Sequence, residues 1–497
     1  MLSITEIKQF IQEDATSDKK MLARKGQAYY EGEHDIRNYR LFYYNADGKL
    51  VEDKARSNVK ISHPFFTELV DQAVQYMLSG QEGFIKSDIP ALQAELDAYF
   101  NENEDFTAEL SETLQGCMAK GFEYMYAYKN AEGKISFMCA DSIGVVEVRA
   151  KDTDDGCEYV IYHYTDRIEK GKKKIKRIQV WDSMNIYYYV QDGEGNVELD
   201  ASEPINPKPH TLYKKEGDAK TFFENFGFIP FFRLDNNKKQ VSNLKIIKEL
   251  IDDYDLMASS LSNNLIDFDT PIHVVKGFEG DSLDELQQNL KTKKIIGMES
   301  TDTGAGVDIM TVDVPFQARQ VKLEHDEKNI YRFGMGLNTS GLKDTNATTN
   351  IAIKAAYSLL DLKCSKLEIR LKQFIRKLLK PVLQEINDLN GTDYQMDQVY
   401  FNFEHEIMSN AQENAQIALL EAQEQQARIT TLLNVADRFD DETLMQNLCE
   451  YLDIDYEQIK SKLPKPEEQE TEEASELLNG VVTGDEGTEG NPASTTE

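Results

Sequence analysis

A chain of 497 residues exceeds what one hydrophobic core supports and divides into two to four folding units. Its 55 basic and 88 acidic side chains leave a net charge of −33, which excludes tight binding to nucleic acid by phosphate neutralisation. A loose encounter is compatible with that charge, because an acidic wall lets a duplex pass without holding it.

Five widely spaced cysteines without a CxxC pair signal neither a disulfide framework nor a zinc site. The start lacks the basic and apolar blocks of a signal peptide, and no segment approaches the roughly 18 apolar residues needed to span a bilayer. The expectation is a protein made in the cytoplasm, with no membrane partner.

Residues 4–30 read as one amphipathic helix ended by Gly32, and Asp47-Gly48 as a hairpin turn. After His63-Pro64 a helix presents Phe66, Leu69, Val70, Val74 and Leu78, and two more helices follow over 91–101 and 107–120. Between 121 and 235, runs rich in Tyr, Val, Ile and Phe alternate with turns at 132–133, 170–171 and 192–193, which predicts an antiparallel sheet in an α+β domain.

Then Leu244, Ile247, Ile251, Tyr254, Ala258, Leu261, Leu265 and Phe268 recur at spacings of three and four. This is a heptad stripe on a helix of about 40 Å at roughly 1.5 Å per residue. Lys245, Lys248, Asp252, Asp255, Ser259, Ser262 and Asn263 make the other side polar, so the expectation is one dry face along the whole helix.

Thr270-Pro271 ends that helix, and a small unit over 269–314 follows, with strands at 272–275, 294–298 and 307–312 and a helix at 283–290. A second helix over 315–333 starts with a proline and has a thin stripe of Phe316, Leu323 and Ile330. Gly334-Met335-Gly336 interrupts it, a polar loop follows, and a third helix runs over 350–389, with Pro381 as a candidate kink. A strand at 399–403 and helices over 411–435 and 441–463 come next. Beyond Pro464 one lysine faces ten acidic residues, which reads as a disordered tail.

Catalytic signatures are weak. Gly334-x-Gly336 followed by Gly341 matches neither GxGxxG nor GxxxxGK[ST], and it follows a helix rather than a strand. Asp152 to Gly156 imitates part of a calcium loop, with glycine one place early and His163 where a glutamate is needed. His34, His325 and His405 each have acidic neighbours and read as surface charge clusters rather than metal ligands. No catalytic set, metal or cofactor is expected. The one enzymatic alternative is a metal-dependent nucleic-acid-processing enzyme built from the abundant carboxylates, with no particular pair to nominate.

Lys363, Lys366, Arg370, Lys372, Arg376, Lys377 and Lys380 concentrate positive charge on the third helix. Pairing with acidic surface on a neighbouring subunit is favoured over DNA contact, given the overall acidity. Tyr29, Tyr30, Tyr39, Tyr43 and Tyr44 cluster early, and tyrosine is enriched at interfaces as well as in cores.

Four pieces occur in a telling order: Tyr29-Tyr30-x-Gly32-x-His34-Asp35-Ile36; Asn58-x-Lys60-Ile61-x-His63-Pro64-Phe65; Phe226-Gly227-x-Ile229-Pro230 leading to Asn236-Asn237; and Leu250-Ile251-Asp252-x-Tyr254-Asp255 with Ser259. With the succession of helices, they make residues 25–435 resemble the portal proteins of tailed bacteriophages, above all those of long-tailed phages of Gram-positive hosts. The resemblance implies the portal α+β fold, with a wing over 1–241 joined by the helix 350–390. Two stem helices over 242–268 and 315–333 would flank a clip at 269–314. A tunnel loop at 334–349 and a crown at 391–463 would complete it, with the acidic tail at 464–497.

On that layout Leu244, Ile247, Ile251, Tyr254, Ala258, Leu261 and Leu265 pack the stem. Asn338, Thr339, Ser340, Lys343, Asp344, Thr345 and Asn346 face a DNA channel, and Lys363, Lys366 and Arg370 contact DNA or a subunit. The family's Asn-x-Ser-Gly before the third helix is replaced by Asn346-Ala347-Thr348-Thr349. The implied role is structural: a closed, usually dodecameric ring of this chain at one capsid vertex of the virion. Its implied partners are double-stranded DNA in transit, terminase, scaffold and major capsid protein, and a head-to-tail connector. Another ring component of the head or neck is the remaining alternative, though such chains are generally shorter.

Overall fold

Ser17 splits the expected first helix in two. Its backbone is extended (ψ 144°) and its hydroxyl accepts from the Lys20 N–H, so it ends α1 (Ile4–Thr16) and caps α2 (Asp18–Tyr30). The computed structural model describes residues 1–54, 56–80, 83–149, 156–169, 173–213, 222–268, 272–276, 306–310, 315–338, 350–405, 411–434, 444–446 and 448–449. Contacts divide the chain into Met1–Met408 and Ser409–Glu497.

In the first unit a two-stranded hairpin, β1 (Phe42–Tyr44) and β2 (Leu50–Glu52), turns at Gly48 with φ 71°. Helices α3 (Phe65–Met77), α4 (Pro90–Leu96) and α5 (Glu104–Lys120) follow, with the short strand β3 (Ile85–Lys86) between the first two and a π-turn at Asp97–Asn101 after α4. The strands β4 (Phe122–Lys129), β5 (Ile135–Ala140), β6 (Val145–Arg149), β7 (Cys157–Glu169), β8 (Lys173–Trp181), β9 (Asn185–Gln191), β10 (Val197–Leu199) and β11 (Lys208–Pro209) come next. The pair β12 (Thr211–Tyr213) and β13 (Phe222–Glu224) then leads to β14 (Phe231–Asp235).

These strands form two main antiparallel sheets rather than one. One is ordered β10-β9-β8-β7-β6 with β11 on β9, and the other β14-β4-β5. Alternating side chains of the long sheet, among them Val146, Ile161, Ile178 and Tyr189, close over Ile7 of α1. Phe122, Val160 and Trp181 pack with Ala23 of α2. Lys20 is buried at this junction, where its ammonium donates to the carbonyls of Ser142 and Val145 and pairs with Asp14 at 3.0 Å.

The remaining helices are α6 (Leu244–Phe268), α7 (Phe316–Gly334) and α8 (Asn350–Asn390), with β15 (Ile272–Lys276) and β16 (Gly306–Met310) paired between the first two. Of the small unit expected over 269–314 only these strands fall within the described residues; the helix at 283–290 and the strand at 294–298 lie outside them. Pro315 stands just ahead of α7 rather than inside it. Helix α8 runs through Pro381, whose neighbours Leu378, Leu379, Val382 and Leu383 are buried, so packing offsets the hydrogen bond that proline cannot make.

One large core joins α3, α4, α5, the start of α6, the end of α7 and α8 to the three-stranded sheet. Strand β17 (Tyr400–Phe401) returns to pair with β3. The fold class is α+β. No helix among the described residues is long and apolar enough to cross a membrane, and the five cysteines are free thiols. In the second unit, α9 (Ala411–Asn434) leaves Leu419 and Leu420 exposed.

Candidate functional site: a polar ladder, a helix pair and an anchored loop

Helix α6 is held differently along its length. Leu244, Ile247 and Ile251 are buried in the core, but Tyr254, Ala258 and Leu261 are only half-buried and Leu265 is 51% exposed. The expected single dry stripe therefore ends after Ile251. From there the buried row is polar: Asp255 and Ser259, continued by Asn263 and Asp267, all on one line of i, i+4 positions.

The cause is residues 57–63, which lie extended along that line. The Asp255 carboxylate accepts from the His63 N–H at 2.9 Å and the Ser259 hydroxyl from the Ile61 N–H at 3.0 Å. The Asn263 amide accepts from the Val59 N–H at 2.7 Å and donates back to its carbonyl at 3.2 Å, and Asp267 accepts from the Ser57 N–H at 3.1 Å. Four helical residues rise about 6 Å and two extended residues about 6.6 Å, so every second N–H of the segment meets every fourth side chain of the helix.

At the head of the ladder Asp255 is fully buried between two imidazoles, 2.6 Å from His34 Nδ1 and 2.8 Å from His63 Nδ1. Burial pushes its carboxyl up, but the hydrogen bonds of His34 and His63 outweigh this and hold it below the ordinary 3.8. Tyr29 stacks on His34 with ring centres 4.5 Å apart and donates its hydroxyl proton to Asp252. Lys248 bridges Asp252 at 2.5 Å and Asp35 at 2.8 Å. His34 is thus a buried structural residue, not a surface one, and the half-buried His405 bonds Glu368 at 2.7 Å and stacks on Tyr76. His325, 70% exposed on its side chain, does lie at the surface.

Helix α7 packs against α6. Lys322 reaches Asp253 at 2.5 Å and also bonds the buried Asp326 of its own helix. Phe65 meets Tyr254 and Tyr331 edge-on, joining both helices to α3.

The end of α7 carries the loop. Met335 adopts a left-handed conformation (φ 54°), with its N–H on Arg332 and that of Gly336 on Tyr331, a Schellman-type stop. Gly334 and Gly336 let the chain pass close to α3: a Cβ at either would press on the end of the buried Leu69 side chain, which would have to move. Gln72 clasps the next residue, accepting from the Leu337 N–H at 2.9 Å and donating to the Leu337 carbonyl at 3.0 Å. Lys363 of α8 donates to the carbonyls of Gly334 and Leu69, both at 3.1 Å, and burial pushes its ammonium down to about 8.

Lys363 is therefore turned inward and tied within the chain, whereas Lys366 is exposed and Arg370 half-buried. Asn338 lies 3.4 Å from Glu327. Thr339, Ser340, Lys343, Asp344, Thr345 and Asn346 lie outside the described residues, as does the imitation calcium loop before Gly156. Among the described residues no group of three His, Cys, Asp or Glu side chains is placed to hold a metal ion.

The profile of the family described as "Phage portal protein, SPP1 Gp6-like" matches residues 10–470. The chain belongs to that family. It is 26% identical over 383 residues to the portal protein of Bacillus phage SPP1, covering 75% of this chain and 73% of that one. It is also 26% identical over 433 residues to the portal protein of Clostridium phage phiCD119, covering 84% of this chain and 89% of the relative. Within this phage portal family, the clasped loop and helix pair gain a functional context that the isolated geometry lacks.

Sequence reasoning missed Gln72, the inward turn of Lys363 and the ladder. Only the ladder left a trace, in the matched pieces around Asn58 to His63 and around Asp255 and Ser259.

Proposed function

We propose that this chain is the subunit of a closed, dodecameric portal ring at one capsid vertex of a virion, through which double-stranded DNA enters and leaves without sequence recognition. Helix α6 and helix α7 form the stem around the channel, and residues 269–314 form the clip between them. Residues 334–349 are the tunnel loop, with Asn338, Thr339, Ser340, Lys343, Asp344, Thr345 and Asn346 facing DNA. Residues 1–241 with α8 make the wing, and 391–463 the crown, followed by the acidic tail from 464. Terminase, scaffold and major capsid protein, and a connector dock on the ring, and the role is structural rather than enzymatic.

Family membership supports this reading, and the observation that carries the loop assignment is the clasp by Gln72 and Lys363. A loop fixed at its root by two elements of the core can meet moving DNA without pulling α7 away. The net charge of −33 suits a wall that does not retain a polyanion.

Negative-stain microscopy of the purified protein tests the ring: closed particles with a central hole are expected, and monodisperse monomers at high concentration, with and without salt, overturn it. Replacing Lys343 or deleting several loop residues should leave rings intact and impair DNA packaging. Normal packaging by such a variant removes the loop assignment.

A further inference from the structure

Two outward faces of the first unit carry one sign of charge each. Between residues 87 and 119, the stretch that makes α4 and most of α5, the chain has eight acidic side chains and no Lys, Arg or His. Glu102, Glu104, Asp105 and Glu112, on α5 and just before it, are exposed, and among the described residues none of them has a cationic partner.

On α8 the sign is reversed. Lys366, Lys377 and Lys380 are exposed and Arg370 is half-buried, and among the described residues no carboxylate pairs with any of them. Glu368, the only acid between 362 and 384, bonds His405 instead. Both helices bury their inner faces in the one large core, Leu110 and Leu114 from α5, Leu371 and Phe374 from α8. Helix α3 packs against both: Tyr76 donates to Asp361 of α8 at 3.0 Å, while Gln75 and Leu78 border Thr107 and Ser111 of α5. The charged faces therefore look away from a shared core, and within one chain neither neutralises the other.

From these two faces we infer that α8 of one copy lays Lys366, Arg370, Lys377 and Lys380 against the acidic face of α5 in the next copy, as an ionic contact between neighbours in the ring. The inference rests on the ring reading above. A closed ring needs two different surfaces on every copy, one given and one received. Copies of a chain with net charge −33 repel one another, and a contact that brings cations onto carboxylates offsets that repulsion where they touch. The spacing matches as well. Asp105 and Glu112 are seven residues apart on one line of α5, and Arg370 and Lys377 are seven apart on one line of α8. Both pairs thus have the same two-turn step of about 10.5 Å, and two helices with equal steps can align their charges along their length. A DNA backbone would answer the cations of α8 alone and leave the α5 carboxylates unmatched, whereas a second copy answers both faces at once.

The test uses the full chain at about 0.1 M salt, where charges act over about 10 Å. Lys377→Glu with Lys380→Glu, and separately Asp105→Lys with Glu112→Lys, change exposed side chains only, and unchanged circular dichroism and melting establish that each folds. Light scattering should show the ring fraction of each reduced about tenfold against wild type. The chain carrying all four substitutions has opposite signs across the contact again, and its ring fraction should return to within about twofold of wild type. Independently, a carbodiimide, which joins amines to carboxylates without a spacer, should link peptides containing Lys377 or Lys380 to peptides containing Asp105 or Glu112 in wild-type rings.

Wild-type-like rings from the folded Lys377→Glu, Lys380→Glu variant overturn the inference and leave the ring reading standing; if those rings fail to package DNA, the cations of α8 belong to DNA instead. Lost rings that the fourfold variant does not restore, with no such cross-link, give α8 another acidic partner and overturn α5 as its receptor. A wild-type chain that never forms rings overturns the ring reading and this inference together.

Discussion

The first two turns of α6 and the four that follow them are one continuous helix held by unlike forces. Leu244, Ile247 and Ile251 are buried among aliphatic and aromatic side chains, where burial is non-directional and tolerant of small shifts. Asp255, Ser259, Asn263 and Asp267 instead hold a backbone segment by directed hydrogen bonds at a fixed two-to-four spacing. A greasy contact anchors the helix to the core. The polar ladder sets its register against residues 57–63 and leaves Leu265 and its neighbours facing outward.

The largest effect separates the two halves. Asp255→Ala leaves His34 and His63 without their shared acceptor, and should cost about 3–5 kcal/mol, the usual result of removing one member of a buried charged network. Ile251→Ala should cost about 3 kcal/mol through lost burial and a cavity. Urea unfolding measures both. The distinguishing readout is amide exchange at Val59 and Ile61, which should accelerate in the Asp255 variant far more than in the Ile251 variant. Equal acceleration would mean that the ladder is not an independent fastening.

Titration sharpens the same contrast. Because the folded Asp255 carboxyl ionises below its ordinary 3.8, its contribution is complete above that value and is lost as pH falls through the lower, folded one. The stability gap between wild type and Asp255→Asn should therefore narrow as pH falls below about 4, while the gap for Ile251→Ala stays flat over that interval. A gap that widens in acid would contradict the assignment.

How legible this was depends on where the partner lies. The helix from Leu244 showed in its three-four spacing, because that signal is local. The strands around Tyr124, Tyr159 and Ile175 showed in their alternation, but their separation into two sheets depends on pairings across the chain, such as Phe232 with Met125. Asp255 and Ser259 looked like the wet side of α6 because their partners are backbone N–H groups about 200 positions earlier, and a backbone donor has no signature in residue type. His34 misled for the same reason: its acidic neighbours in sequence are not the acid it meets. Lys363 sits in a basic run whose exposed members gave no hint that one of them turns inward to helix-end carbonyls.

At the loop root the effect is smaller and local. Gln72→Ala removes both hydrogen bonds to Leu337 and should cost about 1–2 kcal/mol, with faster exchange at the Leu337 amide and no change at Val59. If exchange at Val59 also rises, the loop and the ladder are one cooperative unit, and the division of α6 into two separately fastened parts does not extend to α7.

The smallest effect concerns Leu265, which continues the heptad of the buried half yet lies 51% exposed in a single chain. Leu265→Ser should change the stability of the isolated chain by less than about 0.5 kcal/mol, as substitutions at exposed positions usually do. On the ring reading, the same change should lower the dissociation temperature of the assembly, through burial that a neighbouring copy supplies. A loss above about 1 kcal/mol in the monomer would instead place Leu265 in a contact within the chain. The apolar stripe would then be continuous after all, and the ladder would be secondary to it.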